Sequence, residues 1–406
     1  MDKKRLIFVG LFLVVCVLLG YLLYRVFFAK EKLATQPATK ITTPTTEFPT
    51  AEVGGQPTAV PTQPSKLPSA TGVTQPSTIK PKQAPSYPIT KAVDTSVLGT
   101  QIDKTGLARF YNQTDGKFYR LGKDGQARVL SDNVFYNVQQ VTWSPTKDES
   151  IIEYPDGSNI YYNFETKKQV SLPKHWEDFS FSSLGDKIAA KSMGLSPENR
   201  WLITADPQGK SISLIEPMGE NADQVTVDWS PNKQIVAMSR TGQALGADRE
   251  EVLFVGLNKE NFKSTIVEGR GFESAWSPDG KKLLYSVYST RSDFKPELWI
   301  VNAEGNSIGT GRKMLNLNTW SKKCTFATER FIYCAVPKNL PIGAAFAPTL
   351  ADDSTDQIFK IDIETGLKNE IKPEEEHTID SLFVGDNGKT LYFTDKNSSG
   401  LYSLPL

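Results

Sequence analysis

The fold is decided by the stretch Trp276-Ser277-Pro278-Asp279-Gly280-Lys281-Lys282-Leu283-Leu284-Tyr285. An aromatic residue is followed by a Ser-Pro-Asp-Gly turn and then by a short apolar run, which predicts two strands joined by a tight turn. The same pattern recurs in four further places, two of them close copies and two looser ones: Trp143-Ser144-Pro145, Trp229-Ser230-Pro231, Phe181-Ser182-Ser183 and Phe383-Val384-Gly385.

Aromatic residues mark the first strand of each repeat at intervals of 38 to 57 residues, and a β-rich run follows each of them. This spacing is typical of the four-stranded blades of a β-propeller. Trp320-Ser321 stands too far from the next strand, so we place the aromatic position of that blade at Phe326. The six aromatic pivots predicted to lie in the core are Trp143, Phe181, Trp229, Trp276, Phe326 and Phe383.

A further blade precedes these six. Residues 107–111, 117–121 and 127–130 have the composition of its second, third and fourth strands. Residues 92–406 number 315 (406 − 91), which allows about 45 residues for each of seven blades or about 52 for each of six. The sequence therefore predicts an all-β propeller in which seven blades are favoured and six remain possible.

The Trp-Ser-Pro-Asp-Gly repeat resembles the WD40-like repeat of TolB-type β-propellers over about residues 105–406, most closely in the three Trp-Ser-Pro blades. The resemblance implies a propeller but little about function, because this fold hosts scaffolds, receptors and enzymes. TolB-like proteins also carry an α/β domain before the propeller. Here a Pro- and Thr-rich segment takes that place, so a TolB-type partner is not implied.

Residues 1–30 are predicted to anchor the chain in a membrane. Lys3, Lys4 and Arg5 precede an uncharged apolar run over residues 6–24, which is long enough to span the hydrocarbon core. The charge asymmetry favours a cytoplasmic N-terminus and an extracytoplasmic remainder. A cleaved signal peptide is the alternative, but its apolar region would be shorter, and we interpret Cys16 as a thiol within the membrane.

Residues 31–91 are rich in Pro and Thr and are predicted to form a disordered stalk, because such a composition cannot bury enough apolar surface to offset its ordering entropy. The propeller is predicted to occupy residues 92–406. Together the three segments describe a single-pass protein of the cell membrane whose propeller faces the extracytoplasmic side.

Charge and histidine content exclude several classes of function. The chain carries 46 basic and 46 acidic residues, so it lacks the basic surface that nucleic-acid binding requires. Only two histidines occur, His175 and His377, and we predict both to be surface or structural residues. No metal site and no cofactor are predicted.

Cys324 and Cys334 are predicted to form a disulfide. If the hairpin turns near residues 328–330, Phe326 faces Ile332 and Cys324 faces Cys334, within the distance that a cross-strand disulfide spans. An extracytoplasmic location agrees with this bond. Two buried free thiols are the alternative.

Three other motifs are interpreted as structural. Residues 305–309 match the Gly-x-Ser-x-Gly pattern of hydrolase nucleophiles, but no helix pattern follows and a histidine base is nearly absent. Residues 352–356 supply acidic side chains without the Gly and Glu of a calcium loop, so we expect a solvated acidic loop. Residues 374–377 are expected to form a charged turn.

The connections between the second and third strands are long in four blades, at residues 191–200, 240–251, 287–296 and 337–356. In a propeller these connections leave the same face, and loops on a rigid scaffold are where binding usually takes place. Candidate binding residues on this face, chosen because their types are enriched at interfaces, are Arg200, Arg240, Arg249, Tyr288, Arg291 and Phe294.

The predicted function is therefore a non-catalytic binding or scaffolding head for an envelope protein, a peptide or a glycan. Two alternatives remain open. One is a hydrolase that uses carboxylates in the central funnel, which clustered acidic side chains with displaced pKa values would favour. The other is a structural component of the envelope without a defined ligand.

Overall fold

The computed structural model describes residues 86–406 except Asn261, together with seven helical positions near the N-terminus: Phe12, Val14, Val15, Val17, Leu18, Leu19 and Tyr21. Among these residues, no helix is long and apolar enough to cross a membrane. Most of the predicted anchor, including Cys16, and residues 31–85 of the predicted stalk lie outside the described residues. Residues 86–406 as described belong to one compact unit.

Seven antiparallel sheets form a seven-bladed β-propeller, as the favoured prediction had it. Blade 1 contains β3 (Val97–Ile102), β4 (Ala108–Asn112), β5 (Lys117–Leu121) and β6 (Ala127–Val129). Blade 2 contains β7 (Gln140–Trp143), β8 (Glu149–Glu153), β9 (Asn159–Asn163) and β10 (Lys168–Leu172). Blade 3 contains β11 (Trp176–Phe181), β12 (Ile188–Met193), β13 (Arg200–Ala205) and β14 (Ser213–Pro217).

The remaining blades repeat this order. Blade 4 contains β15 (Val225–Val227), β16 (Ile235–Ser239), β17 (Glu250–Gly256) and β18 (Thr265–Val267). Blade 5 contains β19 (Arg270–Trp276), β20 (Lys282–Tyr288), β21 (Glu297–Asn302) and β22 (Lys313–Met314). Blade 6 contains β23 (Cys324–Phe326), β24 (Phe331–Pro337), β25 (Asp356–Asp362) and β26 (Lys368–Pro373), and blade 7 contains β27 (Ile379–Gly385), β28 (Thr390–Asp395) and β29 (Leu401–Pro405).

The N-terminal part of the propeller closes the ring. β2 (Thr90–Val93) pairs with β29 and supplies the fourth strand of blade 7, while β1 (Ser86–Tyr87) adds a parallel fifth strand to β26 of blade 6. The propeller sheets therefore begin before residue 92, the boundary predicted from composition. Composition misses these strands because they are short and contain few apolar residues.

The aromatic pivots lie at or near the end of the first strand of their blades. Trp143, Phe181 and Trp229 are buried, and Trp276, Phe326 and Phe383 are half-buried. The indole of Trp276 donates to the Asp228 carbonyl at 3.2 Å, which links blade 5 to blade 4. The pivots thus pack between neighbouring sheets.

The hairpin register in blade 6 is the predicted one. Phe326 pairs with Ile332, and Cys324 pairs with Cys334. The two cysteines form a disulfide between β23 and β24, so the disulfide prediction is confirmed.

Candidate functional site

The two faces of the propeller differ because successive strands of a blade run in opposite directions. Connections between strands two and three, and those leading from one blade to the next, emerge together on what we call the loop face. Connections between strands one and two, and three and four, emerge on the opposite turn face. The long predicted connections lie on the loop face at residues 194–199, 240–249, 289–296 and 338–355.

Five of the six candidate binding residues lie on the neighbouring blades 4 and 5: Arg240, Arg249, Tyr288, Arg291 and Phe294. Arg200 is apart from them, at the start of β13 in blade 3. The structure therefore brings most of the candidates to one side of the loop face.

An apolar patch forms where the connections of blades 5 and 6 meet. The ring of Phe346 lies 4.6 Å from that of Tyr288 and 5.1 Å from that of Phe294. Phe346 is 60% exposed, and Ile342 and Leu350 are 71% and 51% exposed. We call these five residues the apolar patch. Phe346 was not singled out from the sequence, because it occurs in a long connection without a repeat pattern.

Backbone hydrogen bonds hold the two connections together beneath the apolar patch. The N–H of Gly343 donates to the Asp293 carbonyl at 2.9 Å, and the N–H of Ala345 donates to the Phe294 carbonyl at 3.0 Å. Asp293 and Phe294 both have left-handed backbones, with φ of 53° and 54°. A left-handed backbone is costly for a bulky residue such as Phe, so the contact between loops fixes an unusual conformation.

The candidate arginines are tied to groups within the protein. Arg291 donates to Glu297 at 2.5 Å, and this hydrogen bond raises the pKa of the arginine. Arg249 pairs with Glu268 at 3.0 Å. Arg240 and Arg200 donate to backbone carbonyls at 3.3 Å. Because Arg249 and Arg291 remain more than half exposed, they still present positive charge to solvent on the loop face of blades 4 and 5.

A second site, not identified from the sequence, lies over blades 2 and 3. This cavity of about 370 Å³ contains three carboxylic acids, Glu153, Glu177 and Asp178. We call it the acidic cavity. Its other walls include Gln139, Gln140, Tyr154, Pro155, Gly157, Asn159, Lys174 and Trp176. The available signal was an acidic residue closing the apolar run Ile151-Ile152-Glu153.

Asp178 is held in place by its neighbours. It has a left-handed backbone, φ 57°, at a bulge in β11. Its Oδ2 accepts a hydrogen bond from the N–H of Val227 at 3.1 Å and lies 3.1 Å from the Nζ of Lys191. The side chain therefore links the inner strands of blades 3 and 4 while carrying a paired negative charge.

Two acids near Asp178 have pKa values well above the usual range for carboxylic acids. Burial, followed by the charges of Asp178 and Glu177, raises the pKa of Glu153 to about 7. Burial and the charge of Asp178 raise the pKa of Asp228, which follows β15, to about 7. Oε2 of Glu153 is buried and has no hydrogen-bond partner among the described residues. A paired carboxylate beside acids that titrate near neutral pH is an arrangement suited to acid–base chemistry.

The motif at residues 352–356 is only partly the solvated loop that we predicted. Asp356 is fully buried and accepts hydrogen bonds from the Nζ of Lys323 at 2.8 and 2.9 Å, and Asp352 pairs with Lys396 at 2.5 Å. The prediction was wrong for Asp356 because β25 begins there and carries its side chain into the interior.

The remaining motifs occupy structural positions. Residues 305–307 form a short 3₁₀ turn between β21 and β22. His175 is exposed, whereas His377 is buried and its Nδ1 lies 2.8 Å from the Asp395 carboxylate. Within residues 86–406 as described, no group of three His, Cys, Asp or Glu side chains is placed to hold a metal ion.

Comparison with solved structures confirms the propeller fold. An oligogalacturonate lyase in complex with manganese superposes with a TM-score of 0.54 at 13% identity, covering 78% of this chain and 93% of that chain. A streptogramin B lyase gives a TM-score of 0.51 at 10% identity, covering 79% and 98%. At these identities the likeness extends to the fold alone.

The tricorn protease gives a TM-score of 0.50 at 11% identity over 80% of this chain, which spans about a third of that protein's length. No protein-family model matches the sequence. No curated protein matches it either.

Proposed function

We propose that this protein is a membrane-anchored binding module whose propeller recognises a partner protein or peptide through the apolar patch. The observation that carries the proposal is the exposed ring of Phe346 against Tyr288 and Phe294, with Ile342 and Leu350 also exposed in the same connection. Clustered exposed apolar side chains mark interaction sites on soluble domains. The exposed Arg249 and Arg291 on the same face supply polar contacts of the kind found at interface rims.

The location of the propeller is part of the same proposal. The apolar N-terminal segment is the anchor, its basic residues keep the N-terminus in the cytoplasm, and the propeller faces outward. The Cys324–Cys334 disulfide supports this orientation, because disulfides persist in oxidising compartments. The TolB-like repeat pattern is compatible with an envelope protein.

Site-specific crosslinking of the full chain in its native membrane tests the binding proposal. A photo-reactive residue at Phe346 is expected to trap one defined protein, and the same residue at the exposed Lys281 on the turn face is the matched control. The trapped protein is then purified, and its affinity for the intact chain is compared with that for Phe346→Ala. Equal trapping from both positions, or equal affinity of both chains, would contradict the proposal.

The acidic cavity favours a second candidate function, hydrolysis by carboxylic acids. Glu153, with a pKa of about 7, would donate the proton, and a neighbouring ionised carboxylate would act as base or nucleophile. Asp178 is the best-positioned carboxylate because Lys191 and the backbone of Val227 hold it. Loss of a measured hydrolytic activity in Glu153→Gln, with the fold retained, is the expected result if this candidate is correct.

A further inference from the structure

We infer that the loop face over blades 2 and 3 binds an oligosaccharide that carries no acid groups. This inference is independent of the partner proposed for the apolar patch. It concerns binding in the acidic cavity, whether or not hydrolysis takes place there. It starts from the position of a second cavity next to the first.

The second cavity has a volume of about 480 Å³ and shares Tyr154 and Pro155 with the acidic cavity. The two cavities therefore lie on either side of the connection between β8 and β9, at residues 154–158. We call the second one the tyrosine cavity, because Tyr136 and Tyr154 line it. A ligand that fills both must be longer than a single ring.

Tyr136 offers an open aromatic surface at the edge of the tyrosine cavity. It is 75% exposed, whereas its neighbour Phe135 is 5% exposed and packs against Phe118 and Tyr162. The carbonyl of Phe135 also accepts a hydrogen bond from the hydroxyl of Tyr111 at 2.5 Å. The buried neighbour therefore fixes the chain and leaves the ring of Tyr136 facing solvent. Sugar rings stack on such aromatic faces through their C–H groups.

The acidic cavity supplies the complementary polar groups. The carboxyl groups of Glu153, Glu177 and Asp178 accept hydrogen bonds from hydroxyl or amino groups, and the amides of Gln139 and Gln140 both donate and accept. An aromatic platform beside clustered carboxyl and amide groups matches the alternating apolar and hydroxyl surfaces of a sugar chain.

The charged side chains of the acidic cavity restrict the class of sugar that can bind there. The basic residue in the acidic cavity is Lys174, and it pairs with Asp156 at 3.1 Å. Asp178 is paired with Lys191, but Glu177 is exposed and Glu153 gains negative charge as pH rises past 7. An acidic sugar would add like charge, so the structure favours neutral or amino sugars.

Calorimetric titration of the purified full chain with three tetrasaccharides tests the inference. The probes are the β-1,4 tetramers of N-acetylglucosamine and of glucosamine and the α-1,4 tetramer of galacturonic acid. We expect the first two to bind and the third not to bind. Tyr136→Ala removes the stacking surface and is expected to weaken binding by about tenfold, which is about 1.4 kcal/mol.

Matched variants separate the proposed site from the rest of the loop face. Glu153→Gln is expected to weaken binding of the glucosamine tetramer, whereas Glu273→Gln, which alters another acid of raised pKa on blade 5, is expected to leave it unchanged. Leu195→Ala, which shortens an exposed apolar side chain in the connection at residues 194–199, serves as the control for Tyr136→Ala. Circular dichroism and thermal unfolding establish that each variant is folded.

Several results would overturn the inference. These are no binding of either amino-sugar tetramer, equal binding of the galacturonate, or unchanged binding in Tyr136→Ala. Amide hydrogen exchange provides the map: protection is expected over residues 130–139 and 153–159, and protection confined to other loops contradicts the site. Cleavage products in the same mixtures bear on the hydrolase candidate alone, since binding without cleavage satisfies the inference.

Discussion

The turn face and the loop face of this propeller are built from the same blades but differ in how regular their connections are. On the turn face, the N–H of Ser144, Ser182, Ser230 and Ser277 each donates to a carbonyl five residues later at 2.9 Å. On the loop face, the connections differ in length and conformation from blade to blade. Regular geometry on one face thus coexists with variable surfaces on the other.

The turn face is regular because each turn has two tasks. It closes its own hairpin and also contacts the next blade: Thr146 donates to the Leu184 carbonyl at 2.8 Å, and Asn232 donates to the Gly280 carbonyl at 2.8 Å. Gly280 has φ of +69°, and a Cβ there would lie 2.6 Å from the backbone nitrogen of Asn232. Such close contacts restrict the sequence of the turn face, whereas the connections of the loop face vary in length and conformation.

The largest expected loss of stability tests whether a buried ion pair holds the strands beneath the loop face together. Lys323 and Asp356 are 4% and 0% exposed, and Oδ2 of Asp356 also accepts from the N–H of Ile379 of blade 7 at 2.7 Å. Lys323→Met removes one partner of a buried pair, so we expect a loss of about 3–5 kcal/mol in the free energy of unfolding. Urea denaturation provides the measurement.

A double variant distinguishes the ion pair from general damage. Lys323→Met with Asp356→Asn removes both charges but keeps an acceptor for Ile379, so it is expected to recover much of the loss. A double variant that is no more stable than Lys323→Met would show that the charge pair is not what holds these strands. The loop face would then lack the rigid base assumed for it.

The difference between the faces also explains which predictions succeed. The Trp-Ser-Pro turns reveal the blades, and hairpin symmetry about residues 328–330 places Cys324 opposite Cys334, because turn geometry and register are local properties of the chain. The strand β2 that closes blade 7 escapes this reasoning, since it pairs with residues more than 300 positions away.

The sites are less predictable than the fold for the same reason. Loop lengths identify the loop face, and Tyr288 and Phe294 are found there, but their neighbour Phe346 comes from another blade. Glu153, Asp178 and Asp228 belong to three different blades. The raised pKa values of Glu153 and Asp228 depend on burial and on the charge of Asp178, which no short sequence pattern encodes. The spacing of motifs in the sequence does not predict contacts between different blades, and both sites depend on such contacts.

The second prediction concerns pH and the acidic cavity. The pKa of Glu153 rises from its ordinary value of 4.5 to about 7. Between these values the folded protein retains a proton that the unfolded chain has lost, so stability falls as pH rises through this window. Glu153→Gln is expected to reduce the loss between about pH 5 and 8 by about 1–3 kcal/mol.

Urea denaturation at several pH values measures this effect, with Glu198→Gln as the control because Glu198 is exposed on the same face. If the free energy of unfolding of Glu153→Gln depends on pH as that of the unmodified protein does, Glu153 does not retain a proton at neutral pH in the folded protein. That result would also remove the main support for acid–base chemistry at this site.

The third prediction compares two serines in equivalent turns. Oγ of Ser277 donates to Asp279 at 2.7 Å and accepts from the N–H of Lys282 at 2.9 Å. Oγ of Ser144 is buried without a hydrogen-bond partner among the described residues. Ser277→Ala is expected to lower the free energy of unfolding by about 1–2 kcal/mol. Ser144→Ala is expected to change it by less than about 0.5 kcal/mol. Equal losses of unfolding free energy in the two variants would contradict a stabilising role for the hydrogen bonds of the Ser277 hydroxyl.

The smallest expected effect on stability is on the loop face, at Phe346. This side chain is 60% exposed, so Phe346→Ala is expected to change the free energy of unfolding by less than about 0.5 kcal/mol, while weakening binding of the crosslinked partner by at least about tenfold. Unfolding curves and partner titrations of the same preparations make the comparison. A large loss of stability would mean that Phe346 fixes the two connections, as turn-face residues fix theirs. Unchanged stability with lost binding would separate the loop face, which is free to vary with its ligand, from the turn face, which holds the ring.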